Sequence, residues 1–402
     1  MKKVKEILVK IKNFFVNYKF VIGGILLIST LVVPVVSYPL FGRFETKLNE
    51  KREKNERPKK LSDDFGKEFD AYYDDIAPYR DSSINLYRDI DFYLASLYSE
   101  MAQVINNDYY LTYADDIILG KDRWLFYLGE DHDMLRDNLL SEEAMQLTYD
   151  IDRMIKDIEK MGKKVAFLIC PNKSTVYSEY LPKKFSKYGN QVTLTKSVQE
   201  HFEKNGLSKI IYSLDNLMAN KEKEQLYLKF DSHYNEYGAF INYQMICDYF
   251  GDEVGEYSFK KEYKKVEQDL TSIAGISPKD DNIFTFDYKP NINIVDEETI
   301  GYIDYYTSDN PNNRKLAIIG DSYKNALKPF LLKDYTHTAA MHIDQVAVNP
   351  EQYLDKEAFL EADTVVFVSV ERFFSIRFVD QEISNCAPRV IADYIENNYL
   401  FK

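Results

Sequence analysis

The longest apolar stretch of the chain lies close to its N-terminus. Residues 20–41 (FVIGGILLISTLVVPVVSYPLF) carry no charge, and these 22 residues are enough to cross a bilayer as a helix. The six lysines that precede the stretch predict a cytoplasmic N-terminus. A cleaved signal peptide is the alternative, but the stretch is longer than a usual apolar signal region and Val-Val-Ser-Tyr-Pro is a poor cleavage site.

This pattern predicts a division of the chain by compartment. Residues 1–19 form a basic cytoplasmic segment, residues 20–41 an uncleaved transmembrane anchor, and residues 42–61 a charged stalk. The folded domain, residues 62–402, is then expected outside the cell. We therefore expect a single-pass protein of the cell membrane.

The beginning of the folded domain has a helical pattern. Apolar residues recur at helical spacing over residues 61–107, which predicts two or three amphipathic helices. Residues 115–128, which include Trp-Leu-Phe-Tyr at 124–127, favour a short hairpin. The domain should therefore begin with a helical part.

From residue 141 onward, helical and strand patterns alternate. Buried strands are predicted at residues 164–170 (KVAFLIC), 210–212, 316–319 and 364–370 (TVVFVSV), with helices between them. Such alternation is typical of an α/β fold, a doubly wound and mostly parallel sheet with helices on both faces. Residues 282–308 alternate more like antiparallel strands, so we expect a β-rich insertion there.

Charge excludes one class of partner. The net charge is −14, and six lysines and one glutamate give residues 1–19 a charge of +5, which leaves −19 for the remainder. An acidic domain is a poor partner for nucleic acid, whose phosphates attract lysine and arginine. The three cysteines lie far apart, without metal-ligand spacing. The sequence therefore predicts no nucleic-acid partner, no metal and no cofactor.

A serine follows one of the predicted buried strands. Residues 315–323 read Lys-Leu-Ala-Ile-Ile-Gly-Asp-Ser-Tyr and a helix-compatible segment comes next, so Ser322 lies where open α/β sheets place their ligands. Its hydroxyl would lie beside helix amides suited to a developing oxyanion. Alternatively, Asp321 and Ser322 only cap the helix.

A second motif favours the nucleophile reading of Ser322. Asp231 and His233 are separated by one residue, at a predicted transition from strand to helix. A serine hydroxyl needs a base, and a carboxylate can orient the imidazole that serves as one. Ser322, His233 and Asp231 thus supply nucleophile, base and orienting carboxylate. Alternatively, His233 only caps the following helix.

Together these motifs resemble the SGNH-hydrolase-like domain of the alginate O-acetyltransferase family, an exopolysaccharide acetylation family. The resemblance rests on Asp-Ser-His-Tyr-Asn at 231–235 and Gly-Asp-Ser-Tyr at 320–323, in that order along the chain. Most SGNH hydrolases have the serine motif first. Further similarities include Tyr-Tyr-Asp-Asp-Ile-Ala-Pro-Tyr-Arg at 72–80 and Glu-Arg-Phe at 371–373.

The resemblance implies an activity and its partners. The chain would be an O-acetyltransferase that acetylates a secreted or cell-surface polysaccharide through an acyl-serine intermediate. A multi-pass membrane-bound O-acyltransferase would supply the acetyl group. A polysaccharide acetylesterase with the same triad, and a non-catalytic polysaccharide-binding or assembly protein, are the alternatives that the sequence leaves open.

The resemblance also suggests residues around the three central ones. The backbone N–H of Ser322 would form part of the oxyanion hole, and Asn325 and Arg372 are candidates for oxyanion or substrate contacts. Lys173 and Tyr323 align with family motifs near the cleft. Both could equally be scaffold, because Lys173 begins the turn after a strand and Tyr323 can pack behind the serine.

Overall fold

The computed structural model describes residues 67, 80–114, 116–128, 142–186, 193–289, 291–374 and 387–401. The predicted basic segment (1–19), anchor (20–41) and stalk (42–61) lie outside these residues. Among the residues that are described, no helix is both long and apolar enough to span a membrane.

The chain divides into two compact units, residues 1–97 with 275–277 and residues 98–274 with 278–402. Most described residues of the first unit are helical. The second unit contains all the strands named below. These are β1 (Thr112–Tyr113), β2 (Ile117–Leu119), β3 (Leu125–Tyr127), β4 (Lys164–Cys170), β5 (Ile211–Tyr212), β6 (Glu256–Lys265), β7 (Asp280–Lys289), β8 (Ile294–Ile300), β9 (Ile303–Ser308), β10 (Lys315–Gly320), β11 (His337–His342) and β12 (Thr364–Val370).

The helices alternate with the strands of the main sheet. The longer ones are Arg80–Ile105, Glu142–Lys160, Leu194–Asn205, Leu214–Asn220, Glu236–Phe250, Lys324–Leu331 and Ala387–Ile395, the last continued by a π-helical turn, Glu396–Leu400. The shorter ones are Lys173–Val176, Lys183–Ser186, Asp269–Ala274, Ile343–Val348, Pro350–Leu354, Glu357–Leu360 and Glu371–Phe374. Short 3-10 turns lie at Lys121–Arg123 and Ser178–Tyr180.

The central sheet has the order β5-β4-β12-β10-β11-β9-β8. The first five strands in this order are parallel to one another, whereas β9 and β8 join antiparallel at one edge. The mostly parallel sheet predicted from the sequence is confirmed. Residues 282–308 contribute to two structures, because β7 pairs with β6 in a separate two-stranded sheet and β8–β9 extend the main sheet.

Both faces of the parallel part of the sheet are buried, as the unbroken apolar runs require. Along β4, Ala166, Leu168 and Cys170 lie in one core cluster, and Val165, Phe167 and Ile169 lie in the other. Helices Glu236–Phe250 and Lys324–Leu331 pack in the first cluster. Helices Glu142–Lys160, Leu194–Asn205 and Ala387–Ile395 pack in the second. The sheet is therefore covered by helices on both sides.

Three predicted elements can be compared with the structure. Within residues 61–107 the structure describes the helix Arg80–Ile105 and the helical residue Lys67, and residues 61–66 and 68–79 lie outside the described residues. The hairpin predicted at 115–128 is β2 paired antiparallel with β3. The strand predicted at 210–212 is shorter, Ile211–Tyr212, because it pairs only with the end of β4.

Candidate active site

Three parallel strands end at the same edge of the sheet, and a candidate residue follows each of them. β10 leads into Ser322, β4 into Lys173 and β12 into Arg372. Carboxyl ends of parallel strands form the usual ligand-binding edge of an open α/β sheet. The topology therefore gathers residues that are up to 199 positions apart in the chain.

The side chain of Asp321 holds the turn that carries Ser322. Its Oδ1 accepts from the backbone N–H of Tyr323 (3.0 Å), and its Oδ2 accepts from that of Val370 (2.8 Å) at the end of β12. The helix Lys324–Leu331 follows at once, and no side chain caps it. Asp321 therefore fixes the turn, and the Ser322 hydroxyl is available for another partner.

That partner is His233. The Ser322 Oγ lies 2.8 Å from His233 Nε2, and His233 Nδ1 lies 2.7 Å from Asp231 Oδ1. A carboxylate can only accept, so Nδ1 carries the proton and Nε2 accepts from the serine hydroxyl. The His233 side chain is 29% exposed, so the end of this hydrogen-bonded chain is open to a substrate. The structure brings the three residues predicted as a triad together.

Asp231 is held as a carboxylate. Burial alone would raise its pKa, but hydrogen bonding to His233, the charge of that ring and the backbone N–H of Asp269 outweigh burial and lower the pKa of Asp231 to about 2. Its Oδ1 also accepts from the backbone N–H of His233 (2.9 Å), and its Oδ2 accepts from that of Asp269 (2.8 Å). All of these bonds favour the ionised form.

The loop that carries Asp231 and His233 differs from the sequence prediction. It does not follow a sheet strand. An isolated bridge between Tyr227 and Tyr234 closes it, and the helix Glu236–Phe250 begins directly after it. Asn235 caps that helix, accepting from the N–H groups of Tyr237 and Gly238, so His233 is not the capping residue. The reason for the difference is that side chains, rather than a strand ladder, bind the backbone of this loop.

Comparison with known proteins identifies the family. Residues 117–365 match the model described as the SGNH hydrolase-like domain of the acetyltransferase AlgX, which is more than half of the 402-residue chain. The chain belongs to this family. The resemblance stated from the two motifs is confirmed, as is the SGNH-like α/β fold. Domains of the AlgX family resemble those of polysaccharide O-acetyltransferases.

Solved structures with a similar fold include one described as an O-acetyltransferase domain. The O-acetyltransferase domain of Pseudomonas putida AlgJ is 19% identical, with 70% of this chain and 99% of that chain covered and a TM-score of 0.47. Bacillus cereus PatB1 with a sulfonyl adduct is 17% identical (65% and 95%; TM-score 0.46). Pseudomonas aeruginosa AlgX is 15% identical (74% and 70%; TM-score 0.45). No curated protein sequence matches this chain significantly.

Within the AlgX-family domain, Lys173 lies beneath the loop of Asp231. Its buried Nζ donates to three backbone carbonyls, those of Leu228 (3.0 Å), Lys229 (3.0 Å) and Asp231 (2.6 Å). An ammonium group has three donors, so these carbonyls use all of them. This placement agrees with the scaffold alternative for Lys173 rather than with a substrate contact.

Tyr323 and Arg372 are buried next to the same loop. The Tyr323 hydroxyl donates to the carbonyl of Ser232 (2.6 Å), and its ring centroid lies 5.0 Å from that of His233. Arg372 Nη2 donates to Ser232 Oγ (3.2 Å), and Nη1 lies 3.4 Å from the Tyr323 hydroxyl. Both side chains support the loop, which agrees with the scaffold alternative for Tyr323.

The backbone N–H of Ser322 and the side chain of Asn325 were both predicted as oxyanion or substrate contacts, and the structure places them differently. The backbone N–H of Ser322 has no acceptor among the described residues, and it precedes the N-terminus of a helix, where N–H groups favour negative charge. Asn325 is exposed in the first turn of that helix, and its backbone N–H donates to the Ser322 carbonyl (3.0 Å). An anion beside Ser322 Oγ would therefore meet an available donor.

Asp269 and Ser232 are site residues that the sequence analysis missed. Asp269 Oδ1 accepts from the backbone N–H of Ser232 (2.7 Å), and Oδ2 accepts from its hydroxyl. Burial and repulsion by Asp231 raise the pKa of Asp269. Ser232 is the middle residue of the Asp-x-His motif, so the sequence could have predicted that it lies close to Asp231 and His233. Asp269 comes 37 residues later and has no local signal.

Asp231, His233 and Asp269 also have the composition of a metal site, since one ligand atom from each lies within 4.8 Å of the others. His233 Nδ1 and the carboxylates of Asp231 and Asp269 already take part in the hydrogen bonds described above. A metal on Nδ1 would displace the proton that Asp231 accepts, and a carboxylate would no longer orient the ring. The two roles exclude each other, and the observed contacts correspond to the orienting role.

Proposed function

We propose that this chain is a membrane-anchored, extracellular O-acetyltransferase that acetylates a secreted or cell-surface polysaccharide through an acyl-Ser322 intermediate. The observation that carries the proposal is the hydrogen-bonded chain from Ser322 Oγ to His233 Nε2 (2.8 Å) and from Nδ1 to Asp231 (2.7 Å). Membership of the AlgX family supports the acetyl group and the polysaccharide acceptor.

The reaction proceeds in two half-reactions. In the first, Ser322 Oγ forms a bond to the acetyl carbon while its proton passes to His233 Nε2, and His233 returns that proton to the departing donor oxygen. In the second, His233 takes the proton of a sugar hydroxyl as its oxygen bonds to the same carbon, and the proton returns to Ser322 as the acyl-serine bond breaks. Asp231 keeps the imidazole oriented throughout.

Charge on the acetyl oxygen rises in both tetrahedral states. The backbone N–H of Ser322, which has no acceptor among the described residues, is the donor that we assign to this oxygen. Arg372 is buried and bonded to Ser232, so we assign it to support of the loop. Asn325 is exposed close to Ser322 and stays a candidate for contact with the substrate.

In this proposal the active site lies outside the cell, so the acetyl group must be delivered to the outer side of the membrane. The uncharged stretch 20–41 and its preceding lysines support an anchor with the domain on the extracellular side. A single span offers no route to cytosolic acetyl-CoA. A multi-pass membrane-bound O-acyltransferase that carries acetyl groups across the bilayer is therefore the partner that we propose.

Replacing Ser322 by alanine tests the nucleophile. Ser322→Ala should reduce acetylation of the surface polymer by roughly 10³-fold or more, because no other group can form the acyl intermediate. The melting temperature should change little, since the hydroxyl is half-buried at the mouth of the site. Acetylation that persists in a folded variant contradicts the mechanism.

A second measurement separates the transferase from the esterase. Wild-type protein is given an artificial acetyl ester together with an oligosaccharide, and the acetyl group is followed into both products. Transfer to the sugar supports the proposal. Release to water alone, with the oligosaccharide saturating, favours the acetylesterase.

A further inference from the structure

A second carboxylate lies beside the Asp231–His233 pair. Asp269 reaches the loop at three points: it accepts from the backbone N–H of Ser232 (2.7 Å), it accepts from the Ser232 hydroxyl, and its own N–H donates to Asp231 Oδ2 (2.8 Å). Asp269 therefore bonds both residues that precede His233 in the chain. A displacement of Asp269 would therefore also displace His233, the proposed base.

Asp269 also faces the imidazole directly. Its Oδ2 lies 3.5 Å from His233 Nδ1, compared with 2.7 Å for Asp231 Oδ1. Two carboxylates thus face the same ring nitrogen. When Nε2 receives the serine proton the ring becomes cationic, and opposite charges within about 4–6 Å favour that form.

Besides the two carboxylates, the groups around His233 are the neutral ring of Tyr323 and two cationic side chains, Arg372 and Lys173, which bind the loop rather than the imidazole. The Tyr323 ring packs at 5.0 Å. The Arg372 guanidinium reaches Ser232 Oγ (3.2 Å), so this hydroxyl lies between Arg372 and Asp269. The Lys173 ammonium binds the Asp231 carbonyl. The cations are therefore bound to the loop, and the carboxylates face the ring.

We propose that Asp269 is a positioning residue for the acyl-transfer reaction, which holds the loop of residues 231–233 and presents a second carboxylate to the imidazole of His233. The inference rests on the proposed function, because it assigns a role within the same half-reactions. The Ser322 Oγ–H bond breaks as Oγ bonds to the electrophile, and the proton on Nε2 leaves with the departing group. Asp269 takes no proton and acts through His233.

The test measures how fast Ser322 reacts with a fluorophosphonate probe in the full-length protein, as a function of pH. Asp269→Asn should slow the reaction about tenfold to a hundredfold, because small displacements of a base have effects of this size. Its pH profile should also differ from that of wild-type protein, because one of the two carboxylates that face the ring is lost. A purely structural role would leave the profile unchanged.

The chain offers a matched control. Asp152 Oδ1 accepts from the backbone N–H (2.7 Å) and the hydroxyl (2.8 Å) of Ser208, the same kind of serine contact, and among the described residues its hydrogen bonds reach only Ser208 and Lys156. Asp152→Asn should lower the melting temperature comparably while Ser322 reacts at the wild-type rate and with the wild-type pH profile. Equal reaction rates and profiles in the two variants would overturn the proposal.

Ser232→Ala covers the case in which Asp269→Asn does not fold. It keeps both carboxylates but removes the hydroxyl that Asp269 binds, so the reaction should slow severalfold while its pH profile stays that of wild-type protein. A wild-type rate in folded Ser232→Ala overturns the proposal. If wild-type protein shows no reaction at Ser322, the proposed function fails and takes this inference with it. If wild-type protein reacts and the variants match it, only this inference fails.

Discussion

At the scale of residues, charged side chains take the place of a strand ladder around the loop of Asp231. Lys173 binds three carbonyls of the segment 228–231, and Asp281 Oδ2 accepts from the backbone N–H of Lys229. Buried backbone groups without partners are costly, so these contacts fix the loop.

Burial lowers the pKa of Lys173 to about 7. A neutral amine has only two N–H donors, so one of its three bonds weakens above that pH.

Replacing Lys173 by methionine tests this clamp. The variant fills a similar volume but leaves the carbonyls of Leu228 and Asp231 without a donor, whereas that of Lys229 keeps the N–H of Leu125 (3.1 Å), and this should cost roughly 2–4 kcal/mol of unfolding free energy. The Asp231 carbonyl is one of them, so the reaction of Ser322 with a fluorophosphonate should slow as well. Thermal denaturation and the probe rate measure the two effects.

Lys163 provides the comparison for Lys173. Its buried Nζ donates to the carbonyls of Leu360 (2.7 Å) and Ala362 (2.9 Å), in a different part of the fold. Lys163→Met should destabilise the protein while Ser322 keeps its wild-type rate. If the two variants react equally fast, the clamp has no role in positioning the site.

The sequence indicated the residues whose signal is local. Ser322 follows a buried strand and His233 stands two positions after Asp231, so short motifs predicted all three. Asp269 and the role of Lys173 depend on contacts across 37 and 58 positions. These contacts exist only because the tertiary fold brings separate segments together, and no single-sequence pattern encodes them.

At the scale of elements, the end of β10 depends on close packing against β12. A Cβ on Gly320 would lie 2.5 Å from the carbonyl oxygen of Val368 and 2.9 Å from its Cβ. These residues are paired in the two parallel strands. Only glycine fits at this position without displacing the strand, and Asp321 and Ser322 come directly after it.

Replacing Gly320 by alanine should therefore disturb both stability and site. Overpacking of this kind costs about 1–3 kcal/mol, and the shift falls on the turn of Ser322, so the probe reaction should slow too. Gly251→Ala is the control, because its φ of +71° is strained for alanine but nothing lies within 4 Å of the added Cβ. It should cost about 1–2 kcal/mol without changing the rate at Ser322. A wild-type rate in Gly320→Ala would contradict this view of the turn.

Element prediction succeeded where burial was continuous. The strands predicted at 164–170 and 364–370 have those bounds in the structure, because unbroken apolar runs identify strands buried on both faces. The sheet order and the attachment of β8–β9 at its edge could not be predicted. Strand pairing depends on which segments meet in space, and the exposed β8 carries no apolar alternation.

At the scale of the whole molecule, charge and hydropathy indicate how the domain is presented. Residues 1–19 carry a charge of +5, and the remaining residues carry −19. Lysines on the N-terminal side of the apolar stretch support the cytoplasmic N-terminus that we propose. The negative charge of the remaining residues makes a neutral or partly amino polysaccharide a more favourable acceptor for the proposed reaction than a polyanion.

The proposed orientation can be tested with cysteines in the full-length chain. Cys170 and Cys247 are buried, so a background of Cys386→Ser should react weakly with a membrane-impermeant maleimide. Tyr263 is 72% exposed on β6, and Tyr263→Cys should be labelled in intact cells. Lys3→Cys should be labelled only after the membrane is opened, because the proposed orientation keeps the lysines before residues 20–41 in the cytoplasm. The reverse pattern would place Ser322 on the side of cytosolic acetyl-CoA and remove the need for an acyl-carrying partner.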